Sequence, residues 1–328
     1  MTVLVTGGAG YIGSHTVLEL LDAGESVVVI DDLSTGFRWA VPAGVPLVVG
    51  DFGDDSLLAE TIASHDVDEI IHFAAKIVVP DSVADPLGYY LNNTAKARTL
   101  LASAVKTGVT RFIFSSTAAV YGDPLRQPVT EDEPLKPVSP YGRSKLMVEW
   151  MLEDTARAHG LSYVALRYFN VAGADPKGRS GQSSARATHL IKVAAQTAIG
   201  LRPKLEVFGT DYPTPDGSCL RDYVQVTDLA RAHLDALRYL RAGGANLTAN
   251  CGYARGFSVL EVIESVKRVS GVDFPVEYAA RRPGDPAAIV AANDRIRAAL
   301  GWTPQFDDLD EIVRQALAWE RRLQERPL

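Results

Sequence analysis

Tyr141 and Lys145, four residues apart, are the pair whose types and spacing point most directly to chemistry. Ser139 and Pro140 just before them suit the N-cap and first turn of a helix. Residues four apart share one helix face, so the two side chains should lie about 6 Å apart at Cβ. A lysine ammonium at that distance favours the ionised phenol. The pair is therefore predicted to remove a proton from a hydroxyl group.

A glycine-rich loop near the start of the chain indicates a co-reactant. The segment T-G-G-A-G-Y-I-G follows the first predicted strand and opens a helix. Gly7 permits a tight turn, Gly10 lets the backbone approach a pyrophosphate, and Gly13 allows close helix packing. Asp31 follows Gly13 by 18 residues at the end of the second predicted strand. Its carboxylate accepts hydrogen bonds from ribose hydroxyls and repels a 2′-phosphate, and Asp32 adds a second negative charge, which favours NAD over NADP.

The tyrosine needs more than one source of positive charge to ionise. Its ordinary pKa is about 10, so half-ionisation at neutral pH requires about 4 kcal/mol. One cation at about 6 Å in an effective dielectric of about 20 supplies about 2.8 kcal/mol. Oxidised nicotinamide can supply the remaining positive charge. Thr117, at the end of the fifth predicted strand, can relay the proton between a substrate hydroxyl and Tyr141.

The elements that must position these residues alternate between strands and helices. Short β-branched runs predict buried strands at 3–5, 27–30, 47–49, 70–73, 112–114 and 163–166. Helical patterns occur near residues 11–23, 54–64, 86–107 and 141–159. This alternation predicts an α/β fold with a Rossmann-type, doubly wound parallel sheet that binds ligands at the carboxyl ends of its strands.

The pattern loosens after about residue 170. We therefore expect a dinucleotide-binding domain over residues 1–170 and a smaller α/β substrate-binding region over 171–328, some segments of which can return to the first domain. Residues 245–248 read as a strand. Ser258 and Glu261 form a capping box that opens a helix reaching about Ser270. A final amphipathic helix is predicted from Leu309 to Leu323.

Composition narrows the class of protein. The 33 Lys and Arg residues against 40 Asp and Glu give a net charge of −7, which argues against a nucleic-acid partner. Two cysteines and six scattered histidines lack metal-ligand spacing, so no metal site is predicted. The first strand begins directly after Met1, and no apolar run reaches the length of a membrane span. We therefore expect a cytoplasmic enzyme without a membrane segment.

Longer blocks of sequence resemble the extended short-chain dehydrogenase/reductases, and among them the UDP-sugar 4-epimerases. The likeness runs nearly from end to end. Its blocks are T-G-G-A-G-Y-I-G-S-H from Thr6, F-S-S-T-A-A-V-Y-G from Phe114, S-P-Y-G-R-S-K from Ser139, R-Y-F-N from Arg167, V-F-G-T-D-Y-P-T-P-D-G from Val207, R-D-Y-V from Arg221 and R-R-P-G-D from Arg281. The last three are much more specific than the glycine motif.

This resemblance, with the motifs above, assigns three groups of residues. The catalytic group is Tyr141, Lys145 and Thr117. The cofactor contacts are Gly7, Gly10, Tyr11, Ile12, Gly13, Asp31, Asp32, Leu33, Ser34, Asp51, Phe52, Phe73, Ala74, Ala75, Asn92, Ser115, Tyr141, Lys145 and Tyr168. The substrate contacts are Thr117, Asn170, His189, Leu190, Val207, Phe208, Arg221, Tyr223, Arg282, Asp285 and Ile289. The two arginines suit a diphosphate, and a carboxylate suits ribose hydroxyls.

Four positions refine what the family resemblance implies. Related dehydratases carry an acidic pair directly after the strand's terminal threonine, where this chain has Ala118 and Ala119, so dehydration is disfavoured. Lys76 stands one position earlier than the cofactor-contacting lysine of close relatives and receives no role. Ile289, four residues after Asp285, matches a position that varies in size beside the sugar 2-substituent. Its intermediate size leaves acceptance of N-acetylated sugars open.

The resemblance implies reversible C4 epimerisation of UDP-galactose and UDP-glucose through a 4-keto sugar, with tightly bound NAD as the transient hydride acceptor. Three alternatives stay open: a 4-epimerase of a UDP-N-acetylhexosamine, UDP-uronate or UDP-pentose, a net-consuming dehydrogenase, and a non-catalytic NAD-sensing regulator. The resemblance also implies a homodimer formed through the helix that starts at Tyr141 and the helix near residues 90–107.

Overall fold

The computed structural model of the chain describes residues 1–184, 188–282 and 285–325. Its strands are β1 (Thr2–Thr6), β2 (Ser26–Asp31), β3 (Leu47–Val49), β4 (Val67–His72), β5 (Arg111–Thr117), β6 (Ser162–Tyr168), β7 (Asn170–Ala172), β8 (Leu205–Phe208), β9 (Leu220–Gln225), β10 (Leu247–Cys251), β11 (Gly256–Ser258), β12 (Val276–Ala279) and β13 (Ala288–Ile289). Its α-helices are α1 (Tyr11–Asp22), α2 (Asp55–Ser64), α3 (Val79–Ala84), α4 (Pro86–Tyr89), α5 (Lys96–Thr107), α6 (Pro140–His159), α7 (Leu190–Ala198), α8 (Val226–Arg241), α9 (Val259–Ser270), α10 (Asp294–Leu300) and α11 (Leu309–Glu325). None of these helices has both the length and the apolar character needed to cross a membrane.

A sheet of seven parallel strands, ordered β3-β2-β1-β4-β5-β6-β10, forms the centre of the fold. Neighbouring residues on β1 face opposite sides, and both sides are buried. Val3 and Val5 belong to one apolar cluster, whereas Leu4 belongs to the other. Helices therefore cover both faces, as continuous β-branched strands require. The predicted doubly wound parallel sheet is confirmed, and the strand order reverses between β1 and β4, where such folds bind ligands.

The chain returns to the large sheet well after residue 170. Strand β10 pairs in parallel with β6, and Leu247 lies opposite Val164. Helix α8, which leads into β10, packs against α1. The strand predicted over 245–248 begins two residues later than expected. Asn246 uses its side-chain oxygen to accept a hydrogen bond from the backbone nitrogen of Tyr163 at 2.9 Å, instead of pairing through its backbone.

A second, smaller set of strands begins at the carboxyl end of the large sheet. Strand β7 follows β6 after a single residue, Phe169. It pairs with β9, which also pairs with β11 and β13. A separate parallel pair joins β8 to β12. The capping box predicted at the start of α9 is confirmed, because the Ser258 hydroxyl accepts from the backbone of Glu261 and the Glu261 carboxylate accepts from the backbone of Ser258.

The helix predicted over residues 86–107 is interrupted by a π-helical segment, Tyr90–Ala95, between α4 and α5. The Asn93 side chain donates to the Lys76 carbonyl oxygen at 2.9 Å and accepts from the Lys76 backbone nitrogen at 2.8 Å. It also donates to the Ser144 hydroxyl on α6 at 3.1 Å. The widened turn thus ties the segment after β4 to the helix that carries Tyr141.

Candidate functional site

The glycine loop between β1 and α1 is shaped by close backbone contacts. Gly7 has φ +73°, and its nitrogen donates to the carbonyl oxygen of Ile30 at 2.8 Å. A Cβ on Gly13 would overlap the Gly7 carbonyl oxygen, and a Cβ on Gly7 would lie 2.7 Å from the Ala74 nitrogen. Gly10 caps α1 without a side chain, so the first amide N–H groups of the helix can receive an anion such as a pyrophosphate.

Asp31 ends β2 beside this loop. One of its carboxylate oxygens accepts from the Ala9 nitrogen at 3.0 Å and the other from the Leu33 nitrogen at 2.8 Å. Burial raises the pKa of the Asp31 carboxyl. Asp32 accepts hydrogen bonds from the nitrogen and the hydroxyl of Ser34 at 2.9 and 2.6 Å. Each oxygen of Asp31 keeps a second lone pair, so the carboxylate can still accept from ribose hydroxyls.

Three further predicted cofactor residues converge on Lys96, which the motif analysis missed. The Lys96 ammonium lies 2.6 Å from a carboxylate oxygen of Asp51 and 6.0 Å from the centre of the Phe52 ring. It also donates to the side-chain oxygen of Asn92 at 3.3 Å. Lys96 lies on α5, one turn after Asn92, so it joins the end of β3 to the π-helical segment.

The segment after β4 lies against the glycine loop. The backbone nitrogens of Phe73 and Ala74 both donate to the carbonyl oxygen of Thr6, at 3.0 and 3.2 Å. Ala75 follows in the same segment. The Phe73 ring centre is 4.7 Å from that of His233 on α8. The predicted cofactor residues of β1, β2 and β4 therefore occupy one continuous edge of the sheet.

Lys145 is buried between α6 and β5. Its ammonium donates to the carbonyl oxygen of Ser115 at 2.8 Å and lies 5.0 Å from the centre of the Phe114 ring. Burial lowers the pKa of Lys145 to about 7, and the nearby carboxylate of Glu149 acts in the opposite direction. The lysine is thus anchored to the strand that ends at Thr117.

Tyr141 lies at the start of α6 beside Thr117. Burial raises the pKa of its phenol, and a hydrogen bond with the Thr117 side chain lowers it. The Thr117 hydroxyl oxygen accepts from the Ala119 nitrogen at 3.1 Å, which leaves the hydroxyl hydrogen free to point to the phenol. The Tyr168 hydroxyl is hydrogen-bonded to the Ser115 hydroxyl, and the charge of an ionised Tyr141 contributes to raising the pKa of Tyr168. The predicted catalytic residues therefore meet at the carboxyl ends of β5 and β6.

Four predicted substrate residues line one cavity. They are Asn170, His189, Leu190 and Tyr223, and the cavity is also lined by Gln182, Lys192, Trp319 and Glu320. The Gln182 amide donates to Nδ1 of His189 at 2.6 Å. Burial lowers the pKa of His189, so the neutral ring keeps a hydrogen on Nε2 that can be donated. No sequence motif singled out Gln182.

The two arginines predicted to bind the diphosphate each contact another predicted substrate residue. The Arg221 guanidinium lies 3.8 Å from a carboxylate oxygen of Asp285. The Arg282 guanidinium lies 3.6 Å from the centre of the Phe208 ring, a geometry typical of a cation–π interaction. Arg282 therefore has one face of its guanidinium against a ring, whereas Arg221 meets Asp285 through an edge nitrogen. The planar group of an arginine can bind a diphosphate in bidentate fashion.

Val207 and Ile289 are buried. Val207 lies on β8 and is 1% exposed. Ile289 lies opposite Arg221 in the pairing of β13 with β9, and its side chain belongs to an apolar cluster that contains Ala118. Because Ala118 directly follows Thr117, the cluster adjoins the catalytic end of β5. Two residues of the R-R-P-G-D block, at positions 283 and 284, lie outside the described residues.

Lys76, which received no role from the sequence, contacts side chains of the helices that follow β4. Its ammonium lies 3.7 Å from a carboxylate oxygen of Asp85 and 5.8 Å from the centre of the Tyr89 ring. Its backbone is held by Asn93 through two hydrogen bonds. Protein groups therefore contact Lys76 at both its backbone and its ammonium.

The chain is similar to known proteins over nearly its whole length. The sequence model of the NAD dependent epimerase/dehydratase family matches residues 3–252. The chain is 58% identical to a UDP-glucose 4-epimerase of Azospirillum brasilense over 98% of this chain and 93% of that protein. It resembles a crystal structure of UDP-glucose 4-epimerase from Brucella ovis in complex with NAD, with a TM-score of 0.94, 47% identity and coverage of 97% of each chain. It also resembles the UDP-Glc/GlcNAc 4-epimerase of Campylobacter jejuni, with a TM-score of 0.86, 45% identity and coverage of 98% and 99%.

This chain belongs to the NAD dependent epimerase/dehydratase family, a member of the extended short-chain dehydrogenase/reductases, and NAD is its cofactor. The residues present fit that cofactor. The glycine loop offers amide N–H groups without side chains in the way, and a Cβ at Gly7 or Gly13 would fill the tight turn that presents them. The carboxylate of Asp31 is placed for a ribose and would repel a phosphate in its place.

Gly13 and Gly10 should respond differently to substitution by alanine. Gly13→Ala forces a Cβ against the Gly7 carbonyl oxygen, so it should destabilise the loop and abolish bound dinucleotide. Gly10→Ala meets only that oxygen at 3.2 Å, so it should leave the melting temperature within about 2 °C of wild type while lowering dinucleotide occupancy. Thermal unfolding and the NAD content released by denaturation measure both effects. Equal melting temperatures for the two variants would contradict this assignment.

Proposed function

We propose that this enzyme interconverts UDP-galactose and UDP-glucose at C4, using a tightly held NAD in every turnover. The observation that carries the proposal is the placement of Tyr141 beside Thr117, with Lys145 one helical turn away and anchored to the same strand. That arrangement lies beside the glycine loop and at the start of the small sheet that carries the predicted UDP residues. The identities with UDP-glucose 4-epimerases support the same substrates.

Tyr141 serves as a reversible base in this proposal. As a phenolate it removes the proton of the sugar 4-hydroxyl, directly or through Thr117, and it later returns that proton to the same oxygen once the keto sugar presents its other face to the cofactor. Bound NAD supplies the site that accepts a hydride from C4 and gives it back. Burial raises the pKa of Tyr141, whereas the Thr117 hydroxyl lowers it, and the Lys145 ammonium adds positive charge on the same helix face.

The nucleotide must stay bound while the 4-keto sugar presents its second face. Arg221 and Arg282 can neutralise the two charges of the diphosphate, and Asp285 can accept from the ribose of the uridine. Asn170, His189, Leu190, Tyr223, Val207 and Phe208 complete the proposed pocket. Anchoring through the UDP portion leaves the sugar free to turn.

Dehydration of the 4-keto sugar is disfavoured for a chemical reason. The reaction needs an acid and a base next to the sugar, and the residues that follow Thr117 are Ala118 and Ala119. Neither alanine can donate or accept a proton. The keto sugar is therefore expected to be reduced again instead of losing water.

Substitution of the proposed base tests the mechanism. Tyr141→Phe removes only the hydroxyl, so turnover of UDP-galactose should fall by about 10²- to 10⁴-fold while UDP still binds with near wild-type affinity. A coupled assay for UDP-glucose and calorimetry with UDP measure the two properties. Tyr239→Phe, on α8 outside the site, is the matched control and should keep full activity. Full activity of Tyr141→Phe would rule out the proposal.

A 4-epimerase of N-acetylated UDP-sugars is the second candidate, because the Campylobacter jejuni relative carries both names. Ile289 is of intermediate size and lies in the cluster that adjoins Thr117. We expect wild-type enzyme to turn over UDP-galactose faster than UDP-N-acetylgalactosamine, and Ile289→Ala to raise the relative rate on the N-acetylated sugar. A substrate panel without added NAD measures this ratio. A wild-type preference for the N-acetylated sugar would reverse the assignment.

A homodimer is supported by exposed apolar side chains on or next to the two predicted interface segments. Leu91 is 61% exposed and Trp150 on α6 is 54% exposed, and Leu87, on α4 just before the segment near residues 90–107, is 77% exposed. We expect light scattering to give twice the mass of the 35.3 kDa chain. Trp150→Glu should shift the protein to monomer, whereas Leu125→Glu, at a residue that is 94% exposed elsewhere, should not. A monomeric wild type would refute the dimer.

A further inference from the structure

A buried ion pair lies behind the proposed catalytic lysine. Arg167 on β6 donates to both carboxylate oxygens of Glu149, through Nε at 3.0 Å and Nη2 at 2.6 Å. The Ser116 hydroxyl donates to the same carboxylate. Glu149 is 7% exposed, Arg167 5% and Ser116 0%. Three hydrogen bonds therefore hold a carboxylate that is almost fully buried.

The pair extends into a chain of hydrogen bonds across the sheet. Arg167 Nη1 donates to the Tyr121 hydroxyl at 3.0 Å, and that hydroxyl donates to the Asn250 side-chain oxygen at 2.6 Å. Asn250 in turn donates to the Val129 carbonyl oxygen at 2.8 Å. The network thus joins α6, β5, β6 and β10. Buried charge of this kind contributes little net stability over an apolar pair, so its position calls for another explanation.

Its position relative to Lys145 supplies that explanation. Glu149 lies one helical turn after Lys145 on α6, and residues at this spacing share a face. Lys145 holds the carbonyl oxygen of Ser115, while Glu149 holds the side chain of the next residue, Ser116. Two adjacent residues of β5 are therefore fixed to two adjacent turns of α6, which sets where Lys145 and Tyr141 lie relative to the strand.

The other charged and titratable groups around Lys145 leave Glu149 as the nearby anion. On α6 itself these are Tyr141 and Glu149. His72 on β4 is buried, and its pKa is lowered to about 3 by burial and by the charge of Lys145, so it is neutral. Burial raises the pKa of Tyr168 on β6, which keeps its phenol neutral as well. Arg167 is paired with both oxygens of Glu149. The carboxylate of Glu149 contributes to keeping Lys145 protonated.

We propose that Glu149 is a positioning residue for catalysis. Its carboxylate, held in place by Arg167 and Ser116, fixes α6 to the end of β5. The same carboxylate maintains Lys145 in its ammonium form. This inference rests on the proposed role of Lys145. It gives a function to Glu149, the third residue of the helix face that carries Tyr141 and Lys145. It also assigns Arg167 to the support of Glu149, separate from substrate binding.

Glu149→Gln tests the proposal because it keeps the size and accepting oxygen of the side chain but removes its charge. Lys145 should then lose its proton at lower pH, and the alkaline limb of the kcat profile for UDP-galactose should move down by about one pH unit. NMR of the holoenzyme labelled with ¹³Cε-lysine, assigned with Lys145→Arg, should show the same displacement in the titration of Lys145. That titration reports on Glu149 even where the substrate assignment fails.

Matched variants separate charge from structure. Tyr121→Phe breaks the same network without removing a charge, so it should lower thermal stability and leave the alkaline limb in place. Glu149→Asp keeps the negative charge, so its kcat profile should have the alkaline limb at the wild-type pH. Where Glu149→Gln fails to fold, Arg167→Met keeps the Glu149 carboxylate and removes only its positive partner, so the Lys145 titration should move in the opposite direction, to higher pH. An unchanged titration of Lys145 in folded Glu149→Gln, or in Arg167→Met where Glu149→Gln does not fold, would overturn the proposal.

Discussion

The attachment of α6 to the end of β5 is the constraint on which the rest of the site depends. A helix fixes Tyr141 and Lys145 only relative to each other, because their spacing is a property of local geometry. Catalysis requires that Tyr141 and Lys145 also be fixed relative to the cofactor, which is expected to bind at the glycine loop that follows β1. The hydrogen bond of 2.8 Å from Lys145 to the Ser115 carbonyl oxygen provides that link, since β5 is joined to β1 through β4. Small errors in such placement cost large factors in rate.

Burial shifts the pKa values of Tyr141 and Lys145 away from those that catalysis needs, and other groups have to offset these shifts. Removing a phenol from water raises its pKa, and removing an ammonium lowers its pKa, so burial alone would leave both Tyr141 and Lys145 neutral. The protein offsets the first effect with the Thr117 hydroxyl and the second with the Glu149 carboxylate. Both offsets are partial, because the pKa of Tyr141 stays above its ordinary value and the pKa of Lys145 is about 7. Ionisation of the phenol therefore needs the positive charge of Lys145 and of bound NAD as well.

The proposed UDP pocket depends on strand pairing between segments that are far apart in sequence. Asn170 on β7 lies opposite Tyr223 on β9, and Ile289 on β13 lies opposite Arg221 on β9. One central strand thus carries residues from three blocks of the sequence to one place. Arg282 is brought to Phe208 in a different way, through the end of the parallel pair formed by β8 and β12. No local pattern in the sequence encodes these registers.

The sequence by itself determined the features that depend on short-range geometry. These are the parallel sheet, the glycine turn, the cap of α9 and the shared helix face of Tyr141 and Lys145, because periodicity and turn chemistry act over a few residues. Tertiary structure decided the rest. It interrupted the helix over 86–107 where Asn93 reaches Lys76, and it placed the ammonium of Lys76 beside Asp85. It also gave Glu149 an arginine partner 18 residues away, since only the packing of α6 on the sheet brings those charges together.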